Sequence, residues 1–224
     1  IAMTGAKETL RAQAANNHNL ANASTTGFRA DMSAFQSREV TGTGYASRVY
    51  ATNGTTGWDS SLGAQVSTGR DLDVAVSGAG FIAVQGGDGR EAYTRAGDLR
   101  IDPNGQLLTG AGHPVLGDGG RTSVPPHTSV AIAADGTVSI VPLGQGPETT
   151  ATVGRIKLVN PTEADVERGT DGLFRMRDGT DAPADAAVQV ASGSLESSNV
   201  NVADAMVTMI ELARNFELQV KAMR

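Results

Sequence analysis

Five short runs, LDVAVS, FIAVQ, EAYTR, LRID and QLLTG, follow one another between Leu72 and Gly110. Their separators are Gly78-Ala79-Gly80, Gly86-Gly87-Asp88-Gly89 and Pro103-Asn104-Gly105, which is turn chemistry. A segment punctuated this often has room for strands and tight turns, not for helices of ten or more residues. VAIA, TVSIV, GRIKLV and GLFRM continue the pattern toward residue 176, and YASRVYAT (45–52) reads as a further extended strand. The 28 glycines, roughly twice the usual share, and the scarcity of aromatic residues suit the same architecture.

The two ends read differently. Residues 1–22 are rich in alanine, and Met3, Ala6, Leu10, Gln13, Asn17 and Leu20 recur at alternating steps of three and four. Asn22–Gly27 (NASTTG) supplies the small polar residues and the glycine that end a helix. At the other end Val202, Met206, Met209, Ala213, Phe216, Val220 and Met223 form a heptad seam, with Ile210 and Leu212 on the exposed faces beside it. Asn201, with Asp204 in the first turn, marks that helix's start, and LESSN before it reads as part of the cap. The predicted fold is therefore mainly β with terminal α-helices: a central domain of antiparallel hairpins, and N- and C-terminal helices pairing as a coiled coil. The predicted domains are an N-terminal helix (1–26), an extended connector arm (27–70), a β-rich outer domain (71–192) and a C-terminal helix (193–224). An isolated helix of about 20 residues is marginal in water, so both helices need partners. Beyond each other they would seek neighbouring subunits through Met3, Leu10, Leu20, Val202, Met206, Met209, Ile210, Phe216, Val220 and Met223.

Several candidate chemistries are weighed and set aside. VAVSGAGFIAVQ contains G-x-G-x-x-A with Asp98 about twenty residues on, as a dinucleotide-binding turn would. That turn must open a long helix, yet five residues after Gly80 the chain breaks again, so SGAG is predicted to be a hairpin turn. Asp102-Pro103-Asn104-Gly105 echoes a calcium loop, but its first and twelfth ligand positions fall on Arg100 and Ala111, so a tight turn is expected. His18, on the polar end of the first helix, and His113 and His127, in loops beside prolines, have no second ligand close in sequence. No G-x-S-x-G elbow occurs. The absence of cysteine removes thiol nucleophiles, disulfides and cysteine metal sites. No catalytic, cofactor-binding or metal residue is assigned. The net charge of −6 with scattered basic residues argues against nucleic acid, and no apolar run approaches a membrane span.

ANNHNLANASTTGFRAD (15–31), TGRDLDVAVSGAGFIAV (68–84), EAYTRAGDLRIDPNGQLLTGAGHPVLG (91–117) and LESSNVNVADAMVTMIELARNFE (195–217) together resemble the axial proteins of the bacterial flagellum. The resemblance covers nearly the whole chain, in order. Phe28-Arg29-Ala30 after Gly27, the AMTGA opening and the compact middle favour the proximal-rod branch over the distal-rod and hook branches. The family's N-N-L-A-N run departs here to Asn16-Asn17-His18-Asn19-Leu20-Ala21-Asn22, with extra residues before Leu20. Relatives begin earlier and continue their last helix further, so both ends are expected to be trimmed.

The resemblance implies a non-enzymatic structural subunit without cofactors. Its terminal helices would form a coiled coil around the central export channel, with the β domain outside. It would leave the cytoplasm unfolded through the flagellar type III export apparatus without a cleaved signal peptide, consistent with the lack of cysteine and of a signal sequence. It would then assemble in the periplasm with copies of itself and with inner proximal-rod and distal-rod subunits into the drive shaft, with no membrane insertion. The alternatives are a distal-rod or hook homologue of the same family, or a monomeric β-rich glycan-binding module, against which the shortage of aromatic platforms argues.

Overall fold

The computed structural model describes residues 2–32, 35–39, 49–53, 57–146 and 148–222, with backbone alone at 2, 35–39 and 49–53. It is mainly β with a helix near each end: α1 spans Ala2–Ala21 and α2 spans Val202–Ala222. Two compact units divide the chain, and one of them, Leu62–Ser197, is inserted into the other.

The inserted unit is built of antiparallel strands. Its largest sheet has five, in the order Leu158–Val159, Phe81–Gln85, Glu91–Thr94, Phe174–Met176, Val166–Arg168. A three-stranded meander follows the order His127–Ile132, Thr137–Pro142, Ala151–Arg155. Val74–Ser77 pairs with Gln189–Ser192, and Gln65–Ser67 with Ser194–Glu196. The core gathers Val74, Val76, Ile82, Val84, Leu99, Leu107, Val115, Val138 and Ile156, all buried. Continuous apolar stretches such as Phe-Ile-Ala-Val are buried on both faces, whereas Leu107–Thr109 alternates because only one of its faces meets the core. Phe81 and Phe174 bring their rings to 5.1 Å across the large sheet.

The turns work as their residues require. Asp102 Oδ1 accepts from the backbone N–H groups of Asn104 (2.9 Å) and Gln106 (2.7 Å), and Gly105 turns the corner at φ 82°. The residues that echo a calcium loop thus form a tight hairpin turn between Leu99–Ile101 and Leu107–Thr109, and the carboxylate caps it. Asp88, Asp135, Asp171 and Asp178 repeat the device, each accepting from the N–H two residues on.

Three sequence expectations are corrected in this unit. SGAG is not a hairpin turn, because Val74–Ser77 pairs with Gln189–Ser192 while Phe81–Gln85 pairs with Glu91–Thr94 and Leu158–Val159. The turn passes the chain from one sheet to another, with Gly78 at φ 76° and Gly80 at φ 123°. A Cβ at Gly80 would stand 2.7 Å from Val188 Cγ1, so only glycine fits there. Arg95 takes carbonyls near the turn, donating from Nη1 to Gly80 O (2.7 Å) and from Nη2 to Val76 O (3.1 Å). LESSN is not all cap: Ser194–Glu196 is a strand. His127 opens a strand rather than lying in a loop.

In the other unit, Asp31–Met32 pairs with Gly57–Trp58, and Phe35–Glu39 with Val49–Asn53. The extended strand expected at 45–52 therefore appears from Val49, and 45–48 lie outside the described residues.

Candidate functional site

The helical unit holds the residues that the sequence nominates for partner contacts. Asn201 caps α2, its Oδ1 accepting from the N–H groups of Ala203 (3.0 Å) and Asp204 (3.4 Å) while its Nδ2 donates to Asp204 Oδ2 (2.7 Å). At the end of α1, Gly27 turns at φ 66°, and the Asn22 amide donates to His18 O (2.9 Å).

The two helices pack against each other antiparallel. At one end Asn16 Nδ2 donates to Ala205 O (2.7 Å) in a buried hydrogen bond. At the other end Thr9 Oγ1 meets Gln219 Oε1 (3.4 Å), and a Cβ on Gly5 would stand 3.1 Å from Gln219 Nε2. The α1 seam is thus Gly5, Thr9, Ala12 and Asn16, small residues that let two backbones approach closely. Opposite them α2 turns in Ala205 and Leu212, with Met209, Phe216, Gln219 and Val220 half-buried.

This corrects the predicted seams. On α1, Met3 is 78% exposed, and Leu10 and Asn17 face outward, while Leu20 is half-buried. On α2, Val202, Met206 and Ala213 are exposed, whereas Leu212, expected on an outer face, is 7% exposed. The rotation has a physical cause. Apolar residues occupy much of the circumference of α2, so its pattern fits more than one packing phase. The small residues of α1 select the phase.

What remains uncovered is an apolar helical surface: Val202, Met206, Val207, Ile210 (71% exposed) and Leu218 on α2, and Met3 and Leu10 on α1. Met223 lies outside the described residues.

Asparagines fasten the chain around the helices. Asn19 exchanges two bonds with the Asp31 backbone, accepting from its N–H (2.7 Å) and donating to its carbonyl (2.9 Å), as a strand neighbour would. Asn199 accepts from Ala30 N (2.7 Å) and donates to the carbonyls of Asp59 and Ser61 (both 3.0 Å). His18 Nδ1 lies 2.6 Å from Asp31 Oδ2, and its ring stands edge-on to Phe28. Asn16 and Asn19, polar residues beside the predicted apolar stripe, thus hold backbone. Helical periodicity carries no signal for that role.

The perturbed ionisable groups of the β unit sit in structural settings. Tyr93 is pushed far above the usual phenol range by burial, and its hydroxyl donates to Glu91 and accepts from Ala182 N–H (2.7 Å). Asp98 is raised by burial and then by the charge of Asp73. Lys157 bonds both oxygens of Glu91, at 2.7 and 2.8 Å. Among the described residues no three His, Asp or Glu side chains gather as metal ligands, and no helix is long and apolar enough to cross a membrane.

Comparison with known proteins agrees across almost the whole length. Residues 75–140 match the family described as Flagellar hook protein FlgE/F/G D1 domain, and residues 191–224 match Flagellar basal body rod FlgEFG protein C-terminal. The chain is 46% identical over 226 residues to the Flagellar basal-body rod protein FlgF of Escherichia coli, covering 98% of this chain and 90% of that one. It is 45% identical, with the same coverage, to the protein of that name in Salmonella typhimurium. Identity to the Flagellar basal-body rod protein FlgG of Bacillus subtilis is 33%, over 89% of this chain and 83% of the relative.

Proposed function

We propose a function from one premise: this chain belongs to the FlgE/FlgF/FlgG family of flagellar rod and hook proteins. It is a structural subunit of the flagellar basal body, and its place is the proximal rod, because its 46% and 45% identity to the FlgF proteins of Escherichia coli and Salmonella typhimurium exceeds its 33% identity to the FlgG of Bacillus subtilis. Its partners are copies of itself and the neighbouring inner proximal-rod and distal-rod subunits. In the assembled rod the terminal helices form a coiled coil around the export channel, and the inserted β unit forms the outer part. The subunit reaches the periplasm through the flagellar type III export apparatus. Its task is mechanical, transmitting torque, and not catalytic.

One observation carries this reading: the helix pair leaves Met3, Leu10, Met206 and Ile210 uncovered after its own seam is closed. Burying one such side chain against a neighbour contributes about 1.5–3 kcal/mol, so several acting together suffice for a stable joint. A tube follows if the contacts are head-to-tail and do not close on themselves.

The test is Ile210→Asp. The residue is on the outer face, so the isolated chain should keep its helical and β signals while rods fail to form and cells stop swimming. Normal rods and motility from this variant would end the proposal.

A further inference from the structure

The chain passes into the β unit at Leu62 and out of it at Ser197. Just inside, the incoming strand Gln65–Ser67 pairs with the outgoing strand Ser194–Glu196, with Ser67 opposite Ser194 and Gln65 opposite Glu196. Both crossings therefore lie at the same end of a three-pair ladder. A force that draws Leu62 and Ser197 apart opens that ladder from the Gln65–Glu196 end, one pair at a time. Sequential opening is the weak direction of a sheet, because each backbone bond, worth only about 1 kcal/mol net, yields alone. The incoming strand is exposed along its length and gains little from apolar burial.

At that vulnerable end stands a buried ion pair. Glu196 is 1% exposed and Arg95 3%, and Arg95 Nε donates to Glu196 Oε2 at 2.6 Å. The other carboxylate oxygen, Oε1, accepts from the N–H of Gly63 (2.9 Å) on the incoming chain. The guanidinium also donates to Gly80 O and Val76 O in the body. A Cβ on Gly63 would fall on the carbonyl oxygen of Ser197, so the two crossing chains touch there backbone to backbone. One carboxylate on the outgoing strand thus grips the incoming strand and is itself anchored to the interior.

We propose that Arg95, Glu196 and Gly63 form a clamp that holds the incoming and outgoing strands to each other and to the β unit. The clamp makes their separation a single cooperative step instead of an unzipping. Pulling the strands apart must break the ion pair, and an unpaired charge left in a buried site is strongly unfavourable. The mechanical use of the clamp rests on the rod reading, since a turning shaft is what would load these two strands. Its existence does not.

The test compares the full-length chain with Glu196→Gln and with the double variant Arg95→Met/Glu196→Leu, by amide hydrogen exchange and thermal midpoint. Residues 62–68 and 193–197 are followed, with Phe81–Gln85 as the reference. Glu196→Gln should speed exchange of the two crossing segments about 100-fold while the reference strand keeps its rate. The double variant, which leaves no unpaired charge but frees the Gly80 and Val76 carbonyls, should melt above Glu196→Gln and below the parent, and still leave the crossing segments fast. Parent-like protection of the crossings in either variant would overturn the clamp. So would equal acceleration of the reference strand, which would mean general destabilisation. Failure here leaves the rod reading standing, and rods built from Ile210→Asp would leave the clamp standing.

Discussion

Leu212 and Ile210 are two residues apart on α2, and they should respond oppositely to truncation. Leu212 is buried on the seam with α1, whereas Ile210 is mostly exposed. Leu212→Ala removes a packed side chain and leaves a cavity, at a cost of about 2–4 kcal/mol. In a unit of under about 100 residues each kcal/mol moves the midpoint by roughly 4–8 °C, so a fall of about 8–32 °C is expected. Ile210→Ala touches no internal packing, and its effect should stay within about 0.5 kcal/mol. Circular dichroism at 222 nm reads the helical unit selectively, because α1 and α2 are the only α-helices among the described residues. Rod incorporation supplies the converse readout: Ile210→Ala should weaken assembly despite a parent-like melt. The reasoning is refuted if Leu212→Ala melts like the parent, or if Ile210→Ala loses helical stability to the same degree.

Further outcomes concern the β unit. Gly97 hands its carbonyl to Val74 N–H at 2.9 Å, and a Cβ there would fall on the Val74 carbonyl oxygen. Gly97→Ala should destabilise the β unit by about 3 kcal/mol or more, read as a lower urea midpoint by tryptophan-independent near-ultraviolet signals, while the 222 nm melt stays put. Acid should loosen the same unit through its turns. Hydrogen bonds with Arg90 hold the Asp88 carboxyl below its usual range, with Thr137 that of Asp135, with Arg175 that of Asp171 and with Thr180 that of Asp178. A carboxyl whose folded pKa lies below its unfolded value of 3.8 contributes stability above 3.8 and loses it as the pH falls through the folded value. Asp98, raised by burial, has the opposite sign, so its contribution is greatest in acid and is lost as the pH rises through its folded pKa. With four turns against one buried acid, urea midpoints should fall as the pH drops below about 3.8, and flat midpoints down to pH 2 would contradict the assignment.

The strands were legible wherever local chemistry decides them. Asp102-Pro103-Asn104-Gly105 can close only a tight turn, and the apolar runs on either side have strand length. Partner choice was not legible, because it is settled over distance. Val74–Ser77 finds Gln189–Ser192 more than a hundred residues later, and this is why SGAG joins two sheets instead of closing a hairpin. Arg95 and Glu196 likewise lie 101 positions apart, and each alone looks like an ordinary surface charge. The helices were visible but their facing was not. Large apolar residues announce a helix face, yet Gly5, Thr9, Ala12 and Asn16 decide which face closes, and such residues leave no trace in a hydrophobic pattern. The exposure of Ile210 was legible because it lies beside the apolar stripe, whereas that of Met206, a member of the predicted seam, was not.

The insertion of Leu62–Ser197 between Ser61 and Ser198 has a modular corollary. Asn199 bridges to the Ser61 carbonyl on one side of the junction, and Ser197 N–H reaches the Ala64 carbonyl on the other, so both cut ends are already neighbours. A short bridge of a few residues could replace everything between them, or a foreign domain with adjacent termini could be grafted in. Diversification of the inserted unit can therefore proceed without rewriting the chain on either side of it.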